Sequence, residues 1–270
     1  MTTLQFVSDL HLEFYETDEY NFKDFVVPKS EIIALLGDIG NPRKELYERF
    51  LKDCSENFKL VLIISGNHEY YTTDFTVTMD KTDIAIQSLC NKYTNVKYLN
   101  NTKYIYEANN ETIIFIGSTL WSKIIDSEKK LVKEVSGDLF NIFTKDKVYL
   151  TIEEINNLHD KNVSWLENEL EVIKNSDKKT KIIVLTHHLP SYRAIVPKYR
   201  AAKYNSMFAS NLDNIIQKYS IFAWLFGHTH SQINLKINNT LIKANPRGYI
   251  EYDGTCENKL YNRELILQLS

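Results

Sequence analysis

Five short motifs of the sequence supply side chains that could bind metal ions. In chain order they are Asp9-Leu10-His11, Gly37-Asp38-Ile39-Gly40, Gly66-Asn67-His68-Glu69, Thr186-His187-His188 and Gly227-His228-Thr229-His230. Six of the seven histidines of the chain fall within them. Carboxylates, imidazoles and an amide carbonyl suit divalent ions such as manganese, zinc or iron. The residue types therefore indicate a metal site of nitrogen and oxygen ligands.

Each motif directly follows a short apolar run that predicts a β-strand. The runs rich in branched residues are Leu4–Ser8, Ile32–Leu36, Leu60–Ser65, Thr112–Ile116, Lys181–Leu185 and Ile221–Phe226. Several are apolar throughout, which is typical of strands covered on both faces. Because ligand sites collect at the carboxyl ends of parallel strands, the motifs are predicted to meet at one edge. A single Asp, Asn or His at one strand end would be explained as a turn or cap residue. Such residues at five successive strand ends are better explained by a shared site.

The spacing within two motifs predicts how their side chains are aimed. Asp9 and His11 are two residues apart, as are His228 and His230. In an extended segment, alternate side chains lie on the same side, so each pair could approach one metal centre. The glycines at the strand ends allow sharp turns and a close approach of the backbone.

Other patterns predict the elements that hold these strand ends in place. Asn41-Pro42 resembles an N-cap with a first-turn proline, which predicts a helix to about Asp53. Thr151 and Glu154 form a capping box ahead of a helix to about Lys174. A hairpin of Gln232–Ile237 and Thr240–Ala244 with its turn at Asn238-Asn239, and a last strand at Leu265–Leu269, complete a mixed α/β pattern of the α+β class.

The composition is that of a globular protein with a sizeable core. The 270 residues are 43% hydrophobic and 25% charged. No linker or repeat interrupts them, so we expect a single domain that spans residues 1–270. The net charge of -3 gives no general attraction to polyanions, so a nucleic-acid partner is disfavoured.

The cysteines and the apolar windows predict a cytoplasmic protein. Cys54, Cys90 and Cys256 are odd in number and far apart, which favours a reducing compartment over a disulfide framework. The N-terminus lacks a secretory pattern, and no window approaches the ~20 apolar residues that cross a bilayer. We therefore expect no membrane partner, whereas the oligomeric state is left open.

The ordered set of motifs resembles the calcineurin-like metallophosphoesterase superfamily. The resemblance runs from Asp9 to His230, with all five blocks intact and in order. Three further segments, Gly117–Trp121, His187–Ser191 and Asn245–Tyr249, are similar to those of small stand-alone cytosolic members. The resemblance implies a four-layer α/β/β/α sandwich of two mixed β-sheets flanked by helices, with the site at the strand ends.

The resemblance also implies a role for each motif residue. Asp9, His11 and His230 would bind a first metal, Asn67, His187 and His228 a second, and Asp38 would bridge both. Two divalent ions are expected, manganese first, with iron, zinc, nickel or magnesium as alternatives. A hydroxide bridging the metals would attack phosphorus, and His68 would act as the catalytic acid that protonates the leaving alkoxide.

The substrate is predicted less sharply than the reaction. The expected partner is a small-molecule phosphate ester. Segments 122–149 and 191–209 are candidates to cap the cleft, with an ordinary surface loop as an equal alternative. Contacts to substrate are predicted for Arg193, Tyr199 and Arg200, because arginine grips phosphate oxygens and tyrosine stacks on a base. For His188, which adjoins a ligand, a substrate contact is an equal alternative to a position behind the metal ligands. His159 is expected to be structural, and Arg247 to buttress the site.

A phosphodiesterase on a nucleotide or small diester is the favoured activity, because a two-metal clamp with one acid histidine suits a diester. The alternative is a small-molecule phosphomonoesterase. The extended Gly-Asp block of protein phosphatases, with its arginine, is absent, and Arg43 is only an unsupported substitute. A nuclease is disfavoured by charge. A binding protein on the same fold is least expected, because every ligand is retained.

Overall fold

Two mixed β-sheets packed face to face form the centre of the fold. The computed structural model describes residues 2–108, 111–175 and 180–269. The strands are β1 (Thr3–Val7), β2 (Ile32–Leu36), β3 (Leu60–Ile64), β4 (Val96–Tyr98), β5 (Thr102–Ala108), β6 (Glu111–Ser118), β7 (Phe143–Lys145), β8 (Val148–Tyr149), β9 (Thr180–Thr186), β10 (Ile221–Phe226), β11 (Ile233–Ile237), β12 (Thr240–Ala244) and β13 (Ile266–Gln268). The α-helices are α1 (Phe22–Phe25), α2 (Glu45–Asn57), α3 (Met79–Cys90), α4 (Lys129–Val135), α5 (Asp138–Asn141), α6 (Ile152–Lys174) and α7 (Asp213–Lys218).

The order of the strands brings the motif-bearing ends to one edge. In the first sheet, β13-β1-β2-β3-β4, strands β1 to β4 run parallel and β13 runs antiparallel. In the second, β11-β12-β10-β9-β6-β5, the four inner strands run parallel and the two edge strands antiparallel. Parallel neighbours end at the same edge, so the loops after β1, β2, β3, β9 and β10 share one end of the sandwich.

Side chains alternate between two buried environments along the central strands. Ile32, Ala34 and Leu36 of β2 face the second sheet, whereas Ile33 and Leu35 pack toward helices α2 and α3. The second sheet packs its outer face against α6 and α7. Because both faces of a strand are covered, its sequence is apolar throughout. These layers are the expected α/β/β/α sandwich of two mixed sheets flanked by helices.

Most of the predicted elements are confirmed. The predicted strands match β1, β2, β3, β6, β9, β10, β11, β12 and β13 to within two residues at each end. Thr151 and Glu154 form the reciprocal capping box that begins α6. Asn238-Asn239 is the two-residue turn of the predicted hairpin, and Asn238 has a positive φ of 51°.

The start predicted for the helix after Asn41-Pro42, which is α2, is wrong. Asn41 and Pro42 lie in a turn, and α2 begins at Glu45. The Asn41 side-chain oxygen accepts from the backbone N of Arg43 at 3.0 Å, and its carbonyl accepts from Lys44 N at 3.0 Å. Asparagine stabilises such turns through its own side chain, and here that bond competes with helix initiation.

The segment between β6 and α6 builds a small core of its own. Trp121, Ile124, Val132, Ile142 and Leu150 pack together and against the start of α6. Contacts from this segment, including Asp138 and Asn141, reach the loop that follows β3. Among the described residues, no helix is both long and apolar enough to cross a membrane.

Candidate metal centre

The five motifs meet at the shared edge of the two sheets. Three groups of side chains have ligand atoms within 4.8 Å of one another: Asp9, His11 and His230; Asp38, His187 and His228; and His11, Asp38 and His68. The first two groups share no residue, and the third joins them through His11 and Asp38. The loops after β1, β2, β3, β9 and β10 all contribute, as the strand ends predict.

The motif residues sit in left-handed backbone conformations. Asp9, His11, Asp38, His228 and His230 have φ values of 52°, 51°, 51°, 65° and 43°. Such values for residues other than glycine cost about 1–3 kcal/mol each and cluster at functional sites. The expectation of extended segments is therefore wrong. The side chains of His228 and His230 therefore do not lie on the same side, and each belongs to a different group of ligand atoms.

Gly66 and Gly37 leave room for the carboxylate and imidazole at the centre. A Cβ on Gly66 would lie 2.1 Å from Asp38 Oδ1 and 2.7 Å from His187 Cε1. A Cβ on Gly37, whose φ is +83°, would lie 2.6 Å from His187 Nδ1. No side chain fits at such distances, so both positions require glycine.

The first group is linked by short contacts around Asp9. His230 Nε2 lies 3.3 Å from Asp9 Oδ1 and 3.2 Å from His11 Nε2. The backbone N of His228 donates to both carboxylate oxygens of Asp9 at 3.0 Å. Burial alone would raise the pKa of Asp9, but the hydrogen bond and charge of His230 outweigh it, and the pKa lies below its usual value.

Glu257 holds the other side of His230. Its Oε2 lies 2.6 Å from His230 Nδ1. Burial lowers the pKa of His230, but the hydrogen bonds to Asp9 and Glu257 outweigh burial and raise it to about 10. A carboxylate behind an imidazole fixes which ring nitrogen faces the site, as it does for histidines that bind metals.

The second group is built around Asp38 and His187. His187 Nε2 lies 3.3 Å from Asp38 Oδ2 and 3.1 Å from Asn67 Oδ1, while its Nδ1 donates to the carbonyl of Leu36 at 2.9 Å. Burial opposes protonation, but the charge of Asp38 outweighs it and raises the pKa of His187 to about 9. Burial also opposes ionisation of Asp38, yet the charge of His187 holds its pKa well below the usual value.

The His228 ring has a nitrogen without a hydrogen-bond partner. Its Nε2 is buried, and within the described parts of the chain no hydrogen bond reaches it. Burial and the nearby His188 and His187 lower its pKa well below 6.5, so the ring is neutral. A neutral, buried and unpaired imidazole nitrogen grouped with the carboxylate of Asp38 has a lone pair available to bind a cation.

His68 projects into the cleft between three side chains. Its Nδ1 lies 3.2 Å from Glu13 Oε1, its Nε2 lies 3.1 Å from the hydroxyl of Tyr249, and its ring stacks on Tyr71 with centroids 4.2 Å apart. Burial lowers the pKa of His68, but the charge of Asp38 and the bond to Glu13 outweigh burial and raise it.

Two glutamates that sequence reasoning left without a role organise the site. Glu69 is fully buried and accepts from the backbone N atoms of Asp38, Ile39 and Gly66 at 2.7–2.9 Å, which joins the loops after β2 and β3. Burial and the charge of Asp38 raise the pKa of Glu69 to about 7. The only sequence signal for Glu69 was its place in the third motif.

Glu13 is the second of these glutamates. Its Oε1 lies 3.0 Å from His11 Nδ1 and 3.2 Å from His68 Nδ1, so one oxygen contacts both rings. Burial would raise the pKa of Glu13, but the bonds to His11 and His68 lower it to about 2. Its position two residues after His11 was the available sequence signal.

The predicted substrate residues fall into two sets. Tyr199 lines a cavity of about 340 Å³. The same cavity is also lined by residues of the candidate site: Asp38, Asn67, His68, His228 and His230. Arg193 and Arg200 are exposed and do not line it. His188 is buried behind the site, with its ring 4.4 Å from that of His228, and its pKa falls to about 3 because burial and His187 disfavour the cation. Of these four residues, Tyr199 is the one that lines the cavity.

The remaining candidates from the sequence lie away from the cavity. Arg43 donates to the carbonyl of Tyr71 at 2.6 Å and to Thr82 Oγ1 at 3.1 Å, so its guanidinium is already bound. Arg247 hydrogen-bonds to Tyr15 and lies over the ring of Phe25, which is a buttress beside β1 rather than a site contact. His159 is buried, with Nδ1 2.5 Å from the carbonyl of Trp121.

Comparison with known proteins agrees with this geometry. The family model of calcineurin-like phosphoesterases matches residues 3–232, so the chain belongs to that family. It is a metal-dependent phosphoester hydrolase.

Individual relatives cover most of the chain. An uncharacterized protein of Acanthamoeba polyphaga mimivirus is 32% identical over 267 residues, 92% of each chain. The phosphopantetheinyl hydrolase of Mycobacterium tuberculosis has a TM-score of 0.71 at 16% identity, over 92% of this chain and 90% of that one. TT1561 of Thermus thermophilus has a TM-score of 0.51 at 10% identity, over 91% and 89%. At these identities the two solved structures show a shared fold.

Proposed function

We propose that this hydrolase is a two-metal phosphodiesterase acting on a nucleotide or another small diester. The observation that carries the proposal is the arrangement of ligand atoms from five strand ends in groups that meet at His11 and Asp38. Two neighbouring groups of ligands suit two cations side by side, with Asp38 between the cations. The buried, unpaired Nε2 of His228 supports the fit of a cation on its side.

The residues divide between the two ions as their contacts suggest. Asp9, His11 and His230 would hold one, and a second set would hold the other: Asn67, His187 and His228. Since the donors are nitrogen and oxygen atoms without sulfur, manganese is our first expectation, with iron, zinc, nickel or magnesium as alternatives. When bound, the ions would lower the pKa of water and neutralise charge on the phosphate.

His68 would supply the proton that the leaving group needs. Its raised pKa favours the imidazolium, and its ring lines the cavity where an ester would lie. Glu13 and Tyr249 hold its two nitrogens, so the ring is positioned before substrate arrives. A positioned general acid contributes typically 10²–10⁴-fold to the rate.

The cavity favours a diester over a monoester. Its described lining residues include Asp38, Asp138 and Glu257 but no lysine or arginine. A phosphomonoester carries a second negative charge near neutral pH, and the described lining offers no lysine or arginine to balance that second charge. A diester carries only one charge. We also propose that segments 122–149 and 191–209 form walls of the cleft, through Asp138 and Tyr199 among others.

The test is hydrolysis of methyl p-nitrophenyl phosphate beside p-nitrophenyl phosphate, after chelation and return of Mn²⁺. We expect metal-dependent turnover with a higher kcat/KM for the diester. For a diester with an alkoxide leaving group, such as a cyclic nucleotide, which unlike p-nitrophenolate needs a proton, His68→Ala should lower kcat by at least about 100-fold while bound metal stays near two equivalents. A preference for the monoester would replace the proposed activity with the alternative one. Loss of metal in the His68 variant would make His68 a ligand instead of the acid.

A further inference from the structure

The cavity has an apolar side that the proposed chemistry does not use. Beyond the metal centre it is lined by an apolar wall, defined as Ile195, Val196, Tyr199, Tyr204, Met207 and Phe208. We propose that this wall selects esters in which a single phosphate carries an uncharged apolar or aromatic group. The inference rests on the proposed function and names the substrate class of the same site.

The apolar wall begins at the metal centre itself. The ring of Phe208 lies 5.0 Å from that of His228, and the ring of Tyr204 lies 6.1 Å from that of Phe208. An organic group attached to a phosphate at Asp38 and His228 would meet these rings within its first few atoms. Aromatic rings at such separations pack favourably with a third ring or an alkyl chain.

The wall is formed before a substrate binds. Asn205 is buried, and its side-chain nitrogen donates to the carbonyls of Tyr199 at 2.9 Å and Ala202 at 3.0 Å. The backbone N of Ser206 donates to Glu128 Oε2 at 2.8 Å, which ties the wall to the segment between β6 and α6. A surface already held in place loses little entropy on binding, so more of the apolar contact contributes to affinity.

The charges around the cavity oppose a second phosphate. Asp138 and Glu257 are on its lining, and no arginine or lysine is among the described residues that line it. Arg193 and Arg200 lie on the exposed side of the segment, and Arg200 Nε is already bonded to the carbonyl of Ile195 at 3.2 Å. An additional phosphate would find no arginine or lysine on the described lining to replace its hydration, which disfavours triphosphates and long nucleic acids as substrates.

A series of diesters with the same leaving group tests the wall. The esters are methyl, phenyl and thymidine-5′ p-nitrophenyl phosphate, and the thymidine ester with an added 3′-phosphate. Each kcat/KM is divided by the rate of spontaneous hydrolysis. Because a buried apolar group changes discrimination by about 10–200-fold, we expect the phenyl ester to exceed the methyl ester by at least tenfold. The 3′-phosphate should lower kcat/KM by about tenfold or more.

A charge-introducing variant tests the location of this selectivity. Tyr199 is 42% exposed, so Tyr199→Lys places a cation at the cavity without disturbing the core. We expect it to reduce both the phenyl preference and the 3′-phosphate penalty. Tyr252→Lys is the matched control, because Tyr252 is fully exposed and does not line the cavity. Binding of phenylphosphonate against methylphosphonate, measured by calorimetry, gives a second readout that does not depend on turnover.

The outcomes separate the two proposals. Metal-dependent hydrolysis of the methyl ester, with equal rates for the phenyl ester and no 3′-phosphate penalty, would overturn the apolar-wall inference and leave the phosphodiesterase intact. Failure to hydrolyse any diester would overturn the phosphodiesterase proposal, whereas tighter binding of phenylphosphonate than methylphosphonate would still support the wall.

Discussion

The carboxylate of Asp138 accepts a hydrogen bond from Asn67 Nδ2 at 2.9 Å and thereby aims the amide oxygen of Asn67 at the metal centre. That oxygen lies 3.1 Å from His187 Nε2. A carboxylate accepts but does not donate, so the amide NH₂ must face Asp138 and the oxygen must face away. Asp138 belongs to α5, so the segment beside the sandwich sets the orientation of a residue in the third motif.

Removing Asp138 should weaken metal binding without removing a ligand. Asp138→Leu leaves the Asn67 amide free to rotate, and partners of this kind typically change metal affinity by about 10–100-fold. Asp138→Asn keeps an acceptor oxygen and should retain part of the affinity. Calorimetric titration with Mn²⁺ checks both, with Asp126→Leu, an exposed residue of the same segment, as control. Unchanged affinity in Asp138→Leu would show that Asn67 is held by other contacts.

Glu13 should set the pH range in which His68 is protonated. Its carboxylate is one of the charges that raise the His68 pKa, so Glu13→Gln should lower that pKa. The alkaline limb of the pH–rate profile, measured at saturating Mn²⁺, should then move to lower pH. Glu16→Gln, on the exposed surface nearby, should leave the profile in place. An unchanged profile in Glu13→Gln would show that Glu13 does not influence the pKa of His68.

Metal binding should release protons at neutral pH. His187 and His230 have raised pKa values of about 9 and 10, so both are protonated at pH 7.5 before a metal takes their Nε2 atoms. Calorimetry at pH 7.5 in buffers of different ionisation enthalpy should give about two protons released. The affinity for Mn²⁺ should rise with pH up to about 9–10. A heat of binding that does not depend on the buffer would contradict the protonation of His187 and His230 in the metal-free protein.

The same two histidines predict how the chelated protein responds to pH. Their raised pKa values mean that the folded state binds protons more tightly than the unfolded state, in which the pKa is about 6.5. The resulting stabilisation is complete below pH 6.5 and is lost as the pH rises through 9 to 10. The Tm of the chelated protein should therefore fall between pH 6.5 and pH 10, and a Tm that rises across this window would contradict it.

Gly66 should be intolerant of even a methyl group. Because a Cβ there would lie 2.1 Å from Asp38 Oδ1, Gly66→Ala must displace the carboxylate that we propose to lie between two metals. We expect at least about a tenfold loss of Mn²⁺ affinity. Gly254→Ala is the comparison, because a Cβ on Gly254 would meet no heavy atom of the described chain within 4 Å, although its φ of +79° carries strain. Equal losses of Mn²⁺ affinity in the two variants would show that contact between the added methyl group and Asp38 is not the cause.

The strand ends could be predicted because the strands are apolar on both faces. Runs such as Ile32–Leu36 are too short for a buried helix, and the motif after each run marks its carboxyl end. Helix α3 was missed because its apolar pattern is weak; Ile84, one of its larger apolar residues, is 65% exposed. Strand β5 was missed because polar residues alternate along it and Ile105 faces solvent.

The contacts around the motifs could not be predicted from spacing. Asp138 and Tyr249 reach Asn67 and His68 only through tertiary packing, and no local pattern marks either as a partner. The left-handed φ of the motif residues also escaped prediction. Asp, Asn and His adopt this conformation more readily than most residues, but sequence alone does not say which of them will.

The two sheets contribute their parts of the site at different times during synthesis. Asp9, Asp38 and Asn67 emerge from the ribosome while β9 and β10 have yet to be made, and neither separate trio of ligands is complete until His228 and His230 follow. Strands β1 to β4 are made first, whereas β13, the edge strand of the same sheet, is made after β9 and β10. Neither trio can therefore hold an ion with all its side chains until the loop after β10 has joined the loops of the first sheet.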